Sequence, residues 1–143
     1  MILTDDRAIE RIALGMIERT LPKREWTHEA HLAAALWLLR MRPALAEPDE
    51  IRKLIIRYNE ATGTPNTDEG GYHHSITLAS MRGAAAHLAA YPPDAPLHMV
   101  LAALMAGPMG KSDWLLAHWH RGTLFDAVAR REWVEPDCSP LPF

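Results

Sequence analysis

The chain has 143 residues, 48% of them hydrophobic and 23% charged, with 15 basic and 18 acidic side chains giving a net charge of −3. That length predicts one domain, residues 1–143, with a core large enough to fold without cross-links, and the even charge balance shows none of the basic stripe of a nucleic-acid binder. One cysteine, Cys138, excludes an intrachain disulfide framework and a multi-cysteine zinc site; the longest apolar runs fall short of the ~20 residues that cross a bilayer. The residues after Met1 turn charged at once and lack the apolar core of a signal peptide, so the expectation is a soluble cytoplasmic protein with no membrane partner.

Alanine and leucine dominate and β-branched residues never alternate cleanly with polar ones, which favours helix throughout. Thr4, Asp5 and Asp6 can cap a first helix whose inner face is Ile9, Ile12, Met16 and Ile17, ended by Thr20, Leu21 and Pro22. A basic loop through Lys23 and Arg24 leads to Thr27, the expected cap of a second helix running to about Arg42. Its centre, LAAALWLL, is apolar nearly all round and belongs in the middle of a bundle. Pro48, Asp49 and Glu50 open a third helix with Ile51, Leu54, Ile55 and Tyr58 inside and Gly63 just past its end. The polar stretch TGTPNTDEGGY, residues 62–72, is an irregular surface loop of the kind that carries sites. A fourth helix is expected from near His73 to about Ala90. A fifth has Pro96 in its first turn and ends before Gly107. A sixth is capped by Ser112 or Asp113 and carries Trp114, Leu115, His118 and Trp119, and a last short one covers about Leu124 to Arg131 before a proline-rich tail. The fold class is therefore all-α, a bundle of six or seven short helices.

Eight histidines are many for this length, and their placement is uneven. His28 and His31, three residues apart, lie about 60° apart on one helix face and roughly one turn apart along it. His73 and His74 open the fourth helix directly after the polar loop. Packed side by side, the two helix starts would bring His28, His31 and His73 to one end of the bundle. Three such ligands plus an open position suit a divalent transition metal, zinc or iron foremost. Trp26 would help exclude water, and Asn59, Asn66 and Tyr72 would orient substrate or ligands. His74, about 100° further round its helix, is expected to point elsewhere. The positive end of the second helix opposes a cation there, an effect that Glu25 and Glu29 would offset. Without an ion, the same residues would still line a polar pocket suited to an anionic or carbonyl ligand.

The segments WTHEAHL at 26–32, YNEATGTPNTDEGGYHHSIT at 58–77 and AVARREWVEPD at 127–137 resemble a family of uncharacterised bacterial helical proteins. Its pattern reads roughly WTHxAHL, then NxxxGxxNTxxxGYHxT, then ARxxWVEPD. The resemblance puts His28, His31, Asn59, Asn66, Tyr72 and His73 on motif positions and His74 on a variable one, with Ser75 where threonine is commoner. It implies a shared site without naming a reaction.

His87, His98, His118 and His120 read as satisfied core or surface residues, and Trp37, Trp114 and Trp133 as core anchors. GPMGKS at 107–112 lacks the glycine spacing and preceding strand of a phosphate loop. Three functional readings follow. The first is a small-metabolite enzyme using a three-histidine metal site, its chemistry hydrolytic, lyase or oxygenase. The second is a metal-free, non-enzymatic helical module binding a small ligand or partner in the same pocket. The third is an interaction protein whose histidines are incidental.

Overall fold

In the computed structural model, which describes residues 3–143, the chain forms seven α-helices and, among the described residues, no β-strand. Helix α1 spans Asp6–Glu18, capped by the Asp5 carboxylate, which accepts the Ala8 N–H at 2.7 Å. Ile9, Ile12, Ala13 and Met16 form its buried face. Helix α2, His28–Met41, starts where Thr27 Oγ1 accepts the Ala30 N–H, and every residue from Leu32 to Leu38 is buried. With no polar face to present to water, α2 lies at the centre, packed on α1 (Asp6–Glu18), α4 (His74–Leu88) and α5 (Leu97–Ala106). Helix α3, Pro48–Ala61, buries Ile51, Tyr58 and Asn59, and the Tyr58 hydroxyl donates to the Leu21 carbonyl at 2.8 Å, fastening α3 to the α1–α2 connection. No described helix is long and apolar enough to cross a membrane.

The C-terminal third departs from the periodicity. The sixth expected helix is only a 3₁₀ turn, Trp114–Ala117, because Asp113 does not cap it and the His118 carbonyl accepts the tail N–H groups of Cys138 and Ser139 instead of continuing a helical ladder. The expected last helix, about Leu124 to Arg131, is the shorter α7, Ala127–Arg131, begun where the Asp126 carboxylate caps the Val128 N–H, and an unforeseen turn of helix, α6, Arg121–Leu124, precedes it.

The WVEPD segment is a clamp. Ser75, fully buried, donates its hydroxyl to the Glu132 carbonyl at 2.9 Å and accepts the Val134 N–H at 3.1 Å, while Trp119 Nε1 donates to the Val134 carbonyl. Asp137 accepts the His120 N–H and the Thr123 hydroxyl. These bonds fix the extended segment that follows α7, and thereby the position of α7 against α4. Trp37 and Trp114 are core residues, as expected, whereas Trp133 is half-buried with the Arg82 guanidinium 4.0 Å over its ring.

Candidate functional site: one cavity at the start of two helices

A cavity of about 430 Å³ opens between α2, α3, α4 and the loop that precedes α4. Trp26, His28, His31, Asn59, Tyr72 and His73 all line it, so six side chains singled out by spacing do share one space. Most of the remaining wall is apolar, from Leu32, Leu38, Ile51, Ile55, Met81 and Leu115. Asn66 is not in the wall. Its Oδ1 accepts from Asn59 Nδ2 at 2.9 Å and from the Tyr72 N–H at 3.0 Å, so it staples the loop to α3 and sets where Tyr72 enters.

The three histidines do different jobs. His73 is the N-cap of α4: Nδ1 accepts the Ile76 N–H at 3.1 Å and Nε2 donates to the Leu124 carbonyl at 2.6 Å. Burial holds its pKa below the usual imidazole value, keeping the neutral tautomer those two bonds require. His28 donates Nε2–H to the Met109 carbonyl at 2.7 Å. His31 differs from both. Its ring stands edge-on to Trp26, centroids 4.1 Å apart, and its ionisation shows no hydrogen-bond contribution from the protein. It keeps the accessible surface of an exposed residue although protein packs closely around it, because it lines the open cavity.

This arrangement does not form the expected three-histidine ligand set for zinc or iron. Both His73 nitrogens are engaged by backbone, since the unpaired amides of a helix start took the ring that spacing had offered to a metal. Glu29 accepts the Leu3 N–H and Glu25 pairs with Arg11, so neither acid reaches the cavity to offset the α2 dipole. Among the described residues no group of three or more His, Cys, Asp or Glu is placed to hold a metal ion.

His74, expected to point elsewhere, is absent from the cavity wall but not independent of it. The Tyr72 hydroxyl donates to His74 Nδ1 at 2.7 Å, burial pushing the phenol up to about 12 and the imidazole down. His74 thus positions Tyr72. Sequence reasoning also passed over three cavity residues: Lys23, Trp114 and Arg130. Trp114 had been read as core alone, and Arg130 stands inside the ARREW segment without a role assigned to it. Comparison with protein-family models, curated proteins and solved structures finds no match for this chain.

Enclosure in protein, with repulsion from His28 second, pushes the His31 pKa down to about 4. Unfolded, the ring titrates near 6.5. Between those values the unfolded chain binds more protons, so stability present above about pH 6.5 is lost as pH falls towards 4. Water admitted to the cavity limits the size of the loss, so the informative quantity is a difference between proteins. The urea midpoint should fall less between about pH 7.5 and pH 5 in His31→Asn than in the wild type. Equal falls would assign the acid sensitivity to other groups.

Proposed function

We propose that this protein is a cytoplasmic small-ligand-binding helical module that holds an organic metabolite in the cavity between α2, α3 and α4. The observation that carries the reading is His31: an imidazole without a protein partner, lining an open and largely apolar cavity of about 430 Å³. Ligand sites are concave, mostly apolar and marked by a few converging polar groups, and a volume of this order suits a one- or two-ring molecule. Metal-dependent catalysis is the weaker reading, because His73 would have to surrender either the cap of α4 or its bond to Leu124 to become a ligand. Metal-free proton transfer is also less favoured. A base titrating at about 4 is protonated only rarely near neutral pH and so accepts a proton poorly.

The test is NMR titration with indole, p-cresol and phenylacetate, following the indole N–H resonances of Trp26 and Trp114 in the cavity wall. At least one probe should bind with a Kd of about 1 mM or tighter. Ala35→Leu, which fills the cavity from α2, should abolish that binding while leaving the helical circular dichroism intact. Shifts that persist unchanged in Ala35→Leu would place the probe elsewhere and end the reading.

A further inference from the structure

We infer that the cavity selects organic monoanions, a single carboxylate on an apolar body, with Arg130 holding the carboxylate. The inference rests on the cavity being a ligand site and adds the chemical class of its ligand.

The charge of the wall is one-sided. Lys23 and Arg130 line the cavity, and among the described residues no aspartate or glutamate does. Arg130 itself is left short of partners. Its Nη1 donates to the Gly71 and Tyr72 carbonyls at 3.2 and 3.3 Å, but its Nε is buried with no hydrogen-bond partner and no described carboxylate pairs with it. Of the two acids in the adjoining loop, Asp68 is bound through both oxygens by the next residue, Arg131, and influences Arg130 only at longer range, while Glu69 makes no described ion pair. A half-buried guanidinium without a counter-charge is unfavourable unless an anion completes it, and its planar fork matches a carboxylate.

A second donor stands in the same wall. Trp114 is 7% exposed, and its indole N–H is the other buried side-chain donor without a partner. Native proteins leave few such groups, and both belong to residues that line this one cavity. The fold adds field of the same sign. Helices α2 and α4, of 14 and 15 residues, both begin at the cavity, where His28 and His73 lie, and each brings the positive end of its dipole. The carboxylate is assigned to this polar side and the apolar body to the side built from Leu38, Ile51, Ile55 and Met81. A doubly charged phosphate fits less well, because Lys23 is exposed to water and leaves Arg130 as the one half-buried cation in a mainly apolar wall.

The probes are 4-phenylbutyrate and its neutral counterpart 4-phenyl-1-butanol, with phenyl phosphate as the doubly charged comparison, titrated into the full chain at pH 7 and followed by tryptophan fluorescence. The acid should bind at least about tenfold more tightly than the alcohol and the phosphate. Arg130→Gln should weaken the acid by about tenfold or more and leave the alcohol within about twofold, with Arg130→Lys between. Equal affinity for acid and alcohol, or tighter binding of the phosphate, overturns the monoanion inference while the cavity remains a ligand site. Failure of acid and alcohol alike to bind at about 10 mM overturns the ligand-site reading as well. Should Arg130→Gln fail to fold, the comparison of the three probes on the wild type decides the matter alone.

Discussion

Trp119→Ala should lower the unfolding free energy by about 4–6 kcal/mol, which for a chain of this length is a drop in Tm of roughly 10–20 °C. Trp119 is fully buried, the largest side chain to be so, with its ring edge-on to Trp133 at a centroid distance of 5.7 Å. Truncation of this fully buried ring leaves a cavity worth about 3–5 kcal/mol. It also strands the Val134 carbonyl, which accepts the indole N–H at 3.0 Å, at a cost of roughly 1 kcal/mol. Trp133→Ala, by contrast, removes a half-buried ring and a cation–π contact, and should cost only about 1–2 kcal/mol. Urea unfolding of the two variants checks the order. A Trp119→Ala loss no larger than that of Trp133→Ala would mean the tail clamp is not part of the cooperative core. The consequence reaches the cavity, because the clamp that Trp119 shares with Ser75 fixes the end of α7, and α7 carries Arg130.

The bundle was legible because its signals are local. Thr27 before an apolar run and Asp5 before Ile9 and Ile12 each state a helix start through a bond to the neighbouring backbone, and Pro48 opens α3 through its fixed φ and missing N–H. The grouping of Trp26, His28, His31, Asn59, Tyr72 and His73 was legible for a related reason: two helix starts and a polar loop joined in sequence have few ways to pack apart. What those residues do was not legible. A histidine just before a helix reads equally as a metal ligand and as an N-cap, and only the position of the Ile76 N–H decides between them. The 3₁₀ turn at Trp114–Ala117 escaped the periodicity because what ends it is a tail more than 20 positions away, a long-range contact with no local trace. Arg130 and Arg131 are indistinguishable in sequence. Only the fold gives one of them Asp68 and leaves the other facing the cavity without a counter-charge.

Gly71→Ala is expected to cost about 3 kcal/mol or more and to weaken ligand binding with it, whereas Gly63→Ala should cost only about 1 kcal/mol and leave binding alone. Both glycines have positive φ, +75° at Gly63 and +77° at Gly71, so both alanines meet the same conformational penalty of roughly 1–2 kcal/mol. Their surroundings differ. A Cβ at Gly63 would meet nothing within 4 Å, but one at Gly71 would run into the Pro65 carbonyl oxygen and lie 2.7 Å from Asn66 Oδ1 and 2.8 Å from Asn66 Cα. Two of those three are backbone atoms, so the loop itself must move. Asn66 Oδ1 is the acceptor that joins Asn59 on α3 to the Tyr72 N–H, and the Gly71 carbonyl is one of the two that hold Arg130. A displaced loop therefore releases Tyr72 and Arg130 together, the two cavity groups this segment exists to place. Paired urea melts and 4-phenylbutyrate titrations read both effects. If Gly71→Ala lost stability but bound the acid as tightly as the wild type, the loop would be a structural staple only. If both fell while Gly63→Ala stayed near the wild type, the polar segment between α3 and α4 would be acting through the single close turn at Gly71, which no other residue can make.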